Sequence, residues 1–246
     1  MSSTFIIGAA FAFLLAGFVK GVTGLGLPTV AIGLLSLAMS PADAAALLVV
    51  PSLVTNVWQV AAGPRFSVLL RRLWLMMLAI CIGTLAGSGL LVSSSAGRAS
   101  AWLGVALAAY AITGLLRLQL RVPACAERWL SPVIGGATGI VTAATGVLTI
   151  PAVPYLQALG LDRDDLVQAL GLSFTVSTVA LAADLAHAGV LPVSVAGTSA
   201  LALAPALAGM LLGQWVRGRV RPELFRLWFF LALLLLGGDL ALRGMR

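Results

Sequence analysis

The chain has 246 residues, of which 61% are apolar and only 9% are Asp, Glu, Lys or Arg, and its mean hydropathy is +1.09. A water-soluble domain carries about a quarter charged residues, so this composition excludes one and points to a protein that crosses the bilayer many times. The net charge of +7 is held in short arginine clusters between apolar runs, a placement expected to face anionic lipid and orient the chain; no nucleic-acid partner is expected.

A hydrocarbon core of roughly 30 Å takes about 20 apolar residues to span as a helix. Eight long apolar segments follow one another, near 4–39, 42–62, 73–92, 101–118, 130–159, 165–187, 190–216 and 224–242. Their continuous Leu- and Ala-rich character predicts helices rather than alternating barrel strands, and hence an all-α integral membrane fold. No basic residue precedes the first segment, so a retained helix is expected there rather than a cleaved signal peptide. Cys81 lies in an apolar run, Cys125 in a connector, and His187 is the one histidine, so neither a disulfide framework, a metal site nor a cofactor is expected.

Segments one and five are longer than one crossing needs, and small residues and proline interrupt each. The first interruption holds Lys20, Gly21, Thr23, Gly24, Gly26 and Pro28; the second holds Gly139, Thr142, Thr145, Gly146 and Pro151. Superposing Gly21 on Gly139 also places Gly24 on Thr142, Gly26 on Ala144 and Gly33 on Pro151. Two repeated halves follow, 1–120 and 128–246, joined by a connector at 121–127, each half being one broken segment and three regular ones. Paired interruptions of this kind point to a transporter's central site. If each broken segment goes in and returns, Arg65, Arg71, Arg72, Arg117, Arg121, Arg128, Arg163, Arg217, Arg219, Arg221 and Arg226 share one side, and Arg98, Arg243 and Arg246 lie opposite. That bias predicts a cytoplasmic arginine-rich face, termini outside, and halves of inverted orientation.

Lys20 is the one lysine of the chain. An ammonium at membrane depth costs at least about 2.5 kcal/mol and is kept for a partner or a substrate, so Lys20 is the first candidate anion ligand; the alternative is snorkelling to the headgroups. Ser52, Thr55 and Asn56 in segment two are matched by Ser173, Thr175, Ser177 and Thr178 in segment six, neutral donors able to orient an oxyanion or to bond neighbouring helices. Asp184 and His187 stand three residues apart, as a proton-coupling relay or a structural pair at the interface. Asp239 is expected to pair with a terminal arginine. Neither G-x-S-x-G nor HExxH occurs, and an enzyme is not expected.

The segments GFVKGVTGLGLP, GGATGIVTAATGVLTIP and QALGLSFTVST resemble the TauE/SafE family of membrane transporters over nearly the whole chain. The resemblance implies a multi-pass protein of the bacterial inner membrane that moves sulfite, sulfonates or related organic anions. Carried over by position, it implies site residues Gly21, Gly24, Gly26 and Pro28 in the first repeat and Gly139, Gly146 and Pro151 in the second. Where the family tends toward a glycine run, this chain has Thr142, Ala143, Ala144, Thr145 and Gly146. The expected function is secondary export of a small anion, sulfite or an organosulfonate or other organic acid, at a midplane site of Lys20, Thr23, Asn56, Thr142, Thr145, Ser173, Thr175 and Ser177. The alternatives are an uptake carrier or channel for another solute, and a non-transporting scaffold subunit. Expected partners are membrane lipid and the anion; a homo-oligomer is left open.

Overall fold

A computed structural model describes residues 3–116, 121–219 and 221–245. The described residues form helices throughout: α1 (Ser3–Thr23), α2 (Leu27–Leu35), α3 (Pro41–Ala61), α4 (Phe66–Ala86), α5 (Leu90–Ser93), α6 (Ala96–Leu115), α7 (Ala124–Thr145), α8 (Ala152–Ala158), α9 (Arg163–His187), α10 (Val193–Arg217) and α11 (Pro222–Gly244). Seven of them, counting α4 and α5 together, are long and apolar enough to cross a bilayer. The broken segments are α1 with α2, and α7 with α8. Two boundaries differ from those expected. α4 begins at Phe66 rather than near 73, because Arg71 and Arg72 lower hydropathy without lowering helix propensity, and α7 begins at Ala124, inside the expected connector.

Glycine sets how the helices pack. α1 carries Gly17 and Gly21, and α10 carries Gly209 and Gly213; a Cβ at Gly17 would stand 2.0 Å from the Ala206 carbonyl oxygen, and one at Gly213 would stand 2.2 Å from that of Phe18. α4 and α7 repeat the arrangement: a Cβ at Gly83 would meet the Gly136 carbonyl oxygen at 2.2 Å, and one at Gly139 that of Ile80 at 2.3 Å. In each pair the backbones touch, which is how helices gain dispersion energy in lipid, where apolar surface alone gives no drive to associate.

The same contacts fix direction. Leu14 meets Gly209 and Phe18 meets Gly213, so α1 and α10 run parallel, while Met76 with Gly135 and Ile80 with Gly139 make α4 and α7 parallel. Ser52 with Thr178 and Gln59 with Val167 make α3 and α9 antiparallel; Gly104 with Ala241 and Gly114 with Phe230 do the same for α6 and α11. One end of the bundle therefore gathers the C-termini of α1, α3, α6 and α10 and the N-termini of α4, α7, α9 and α11. There stand Arg65, Arg71, Arg72, Arg121, Arg128, Arg163, Arg217, Arg219, Arg221 and Arg226, whereas Arg98 and Arg243 stand at the other end; Arg117 and Arg246 lie outside the described residues. Each broken segment returns to the end where it started. All six tryptophans are exposed, and Trp58, Trp102, Trp129, Trp215 and Trp228 stand within about two turns of a helix end, where an interfacial aromatic belt would place them, while Trp74 lies nearer the middle of α4.

Gly17→Val or Gly139→Val should destabilise the folded protein by about 2 kcal/mol or more, because backbone rather than a flexible side chain must yield. Gly8→Val, at a site where a Cβ meets nothing within 4 Å, should leave thermal unfolding in detergent nearly unchanged.

Candidate functional site

Lys20 lies in the last turn of α1 and is only 4% exposed. Its Nζ donates to Thr55 Oγ1 at 3.1 Å and to Asn56 Oδ1, both on α3. Asn56 Nδ2 donates to Ser52 Oγ at 3.1 Å. Ser52 Oγ lies 3.1 Å from Thr178 Oγ1, whose own proton goes to the Phe174 carbonyl at 2.6 Å, so Ser52 is the donor between them. A continuous chain thus runs from the ammonium across the middle of α3 into the middle of α9. Both partners of Lys20 are uncharged, and its third N–H has no partner among the described residues. α3 is itself distorted here by Pro51, which cannot donate to the Leu47 carbonyl; Ser199 of α10 donates to that carbonyl at 2.7 Å and accepts from Val50 N–H at 3.1 Å.

The breaks are built by residues that satisfy their own backbone. Thr23 Oγ1 lies 2.9 Å from the Val19 carbonyl and 2.6 Å from that of Leu25, and it accepts from Leu25 N–H. Gly26, at φ 102°, then reverses the chain into α2, with Gly24 also left-handed and Pro28 in the first turn. At the second break Thr145 accepts from Val147 N–H at 3.1 Å and donates to Val141, Thr142 donates to the Val147 carbonyl, Gly146 at φ 71° ends α7, and Pro151 precedes α8.

The remaining expected site residues divide by what they touch. Gly21 and Gly139 are occupied by helix packing against α10 and α4. Thr175 donates to the Gly171 carbonyl at 2.7 Å. Ser173 and Ser177 are fully buried and their hydroxyls have no partner among the described residues. Asp184, buried near the other end, accepts from the Ser88 hydroxyl and from Gly89 N–H at 3.2 Å, while His187 one turn on is exposed. Asp239 pairs with Arg243 at 2.7 Å.

Two buried amides outside the expected site, Gln59 and Gln168, tie the helices together. Gln59 donates to the carbonyls of Gly24 at 3.0 Å and Val167 at 2.8 Å, tying the first break to α3 and α9. Gln168 donates to the carbonyls of Val60 and Gly63 and accepts from Arg65 N–H, holding the turn between α3 and α4. Beside the first break a cavity of about 1200 Å³ opens at the arginine-rich end, walled in part by Thr23 and Leu25.

The family described as sulfite exporter TauE/SafE matches residues 9–240, a stretch that takes in both breaks and every member of the Lys20 chain. The chain belongs to the TauE/SafE family. It is therefore a multi-pass membrane transporter of sulfite-type anions rather than an enzyme. Comparison with curated proteins and with solved structures returned no match.

In this TauE/SafE protein, Thr178→Val removes the acceptor of the Ser52 hydroxyl inside the bundle and should cost about 1–2 kcal/mol of stability. Ser52→Ala with Thr178→Val should cost less than the two singles combined, because the double variant leaves neither group seeking the other. Unfolding midpoints of the four proteins in one detergent measure that coupling, and strict additivity would disprove the contact.

Proposed function

We propose that this transporter exports a small anion, sulfite or an organosulfonate or related organic acid, through a midplane site at Lys20, by rocking between inward- and outward-open states around it. The observation that carries the reading is the buried ammonium whose hydrogen-bond partners are all neutral. Such a charge is expensive to keep in a low-dielectric interior, and an oxyanion beside it supplies both the missing counter-charge and an acceptor for the third N–H. Asn56 fixes the ammonium, and Ser173 and Ser177 offer the free hydroxyls that would orient the oxyanion; Thr23, Thr142, Thr145 and Thr175 hold the helices around them.

The pairing of helices supports the two halves, 1–120 and 128–246. Exchanging α1 with α7 and α4 with α10 converts the α1–α10 contact into the α7–α4 contact, and it leaves the α3–α9 and α6–α11 pairs unchanged. Segregation of the arginines supports placing that end in the cytoplasm, with α1 beginning and α11 ending outside. An anion leaving a cell that is negative inside is then helped by about 2.3 kcal/mol per charge per 100 mV, without ATP.

Proteoliposomes loaded with sulfite, sulfoacetate, sulfate or acetate should release a sulfur oxyanion saturably, and Lys20→Ala should abolish that release while the protein stays folded. Absence of flux with every anion from inserted, folded protein would sink the export reading. Asn56→Asp is nearly isosteric but gives Lys20 a permanent counter-charge, so anion affinity should fall at least about tenfold, the scale of one charge-assisted bond. Unchanged affinity in Asn56→Asp would remove Lys20 from the site.

A further inference from the structure

We infer that the cavity at the arginine-rich end is a second oxyanion site, a basin that holds the transported anion before it reaches Lys20. The inference rests on the anion-transport reading and adds a separate place and separate residues to it. The cavity opens where the C-termini of α1, α6 and α10 meet α8 and the N-terminus of α11, and about 1200 Å³ is far more room than sulfite or a small sulfonate fills. It is thus a hydrated basin rather than a close-fitting pocket.

Its charge is unbalanced. Arg121, Arg163, Arg217 and Arg226 line it from four separate stretches of chain, against Glu223 in the lining and Asp164 close enough to act on Arg217. None of the four guanidiniums forms an ion pair with a described residue, whereas Arg65, Arg72 and Arg243 elsewhere each have an acidic partner. Cationic groups around a concave surface with low-dielectric walls focus the field and raise the local concentration of anions.

A second, independent observation lies deeper in the same cavity. Tyr110 lines it yet is 2% exposed, and its phenolic O–H has no hydrogen-bond partner among the described residues. The ring is held edge-on by Phe230, at 5.4 Å between centroids and 78° between planes, so the hydroxyl is a fixed donor and not a swinging one. A buried hydroxyl left unpaired is costly, so a small movement that opens Tyr110 to the cavity would let an oxyanion satisfy it. Thr23 and Leu25 form the wall toward Lys20, so the break in α1 separates the basin from the ammonium.

The test is equilibrium binding of radiolabelled sulfite to the purified, delipidated full-length protein. It compares wild type, Lys20→Ala, Arg163→Gln/Arg217→Gln, Arg163→Lys/Arg217→Lys and Tyr110→Phe. Wild type should show two classes of site. Lys20→Ala should keep the weaker class; the double Gln variant should weaken that class at least about tenfold, with partial recovery in the double Lys variant and a several-fold loss in Tyr110→Phe. A single class that Lys20→Ala abolishes and the arginine variants leave intact would overturn the basin and leave the central site standing. The reverse pattern would keep the basin and remove Lys20. If phosphatidylglycerol stabilises wild type against heat but not the double Gln variant, while both bind sulfite equally, the arginines serve a lipid headgroup and the inference falls.

Discussion

The burial of one ammonium against neutral oxygens is the constraint on which the rest of this structure depends. Lys20 cannot reach water from its position, so the fold must bring hydrogen-bond acceptors to it, and it does so with two consecutive residues of α3. That requirement fixes the end of α1 against α3 and, through Asn56, Ser52 and Thr178, fixes α3 against α9. Neutral acceptors hold the ammonium in place without cancelling its charge, which an aspartate there would do. Anchoring and charge are thus kept separate, and the charge remains available to a ligand.

Around this polar seam the helices divide by how they touch. α1 with α10 and α4 with α7 meet backbone to backbone through glycine, contacts too close to slide without rebuilding. α3 and α9 instead meet through hydroxyls and amides, which can exchange partners with one another at small net cost. On the rocking reading, the glycine-welded pairs move as units and the α3–α9 seam is where they move against each other. Gln59 and Gln168 fit that division, because each bonds across the seam to main-chain carbonyls that change little when a helix rotates slightly.

Much of this was legible in the residues. The bilayer-spanning character followed from composition, both breaks followed from their Gly and Pro, and the lysine stood out because a lone cation in an apolar run has few uses. Glycines four apart on α1, α7 and α10 say that each helix has a close neighbour but not which one, and the single Gly83 of α4 says less still. What could not be read was the fate of individual hydroxyls. Thr142 and Thr145 look like ligands in a line of sequence, yet each bonds main chain at the break, since a helix end leaves carbonyls and N–H groups that lipid cannot satisfy. Ser173 and Ser177 look no different from them, and only packing shows that their hydroxyls are left over. The start of α4 was missed because hydropathy falls at Arg71 and Arg72 while the helix does not; Arg72 is held by Glu127 at 2.6 Å and 2.9 Å.

The two breaks are alike in geometry and unlike in charge. Setting Thr23 on Thr145, which make the same bonds to the fourth preceding carbonyl and the second following N–H, places Lys20 on Thr142, whose hydroxyl donates to the Val147 carbonyl at 3.2 Å. On the two-half reading, one half therefore brings a cation and the other brings a neutral, self-satisfied residue. A lysine in both would put two ammonium groups into the same low-dielectric interior, and the state without substrate would have to bear their repulsion as well as their desolvation. With one, the empty site carries a single excess charge and the occupied site is neutral when the ligand is a monoanion. Bisulfite and a simple sulfonate both meet that condition, whereas a fully charged sulfate would leave one negative charge uncompensated at membrane depth. On the proposed reading, the asymmetry between Lys20 and Thr142 would act as a charge filter, selecting by the sum of charges at the site rather than by the shape of the anion.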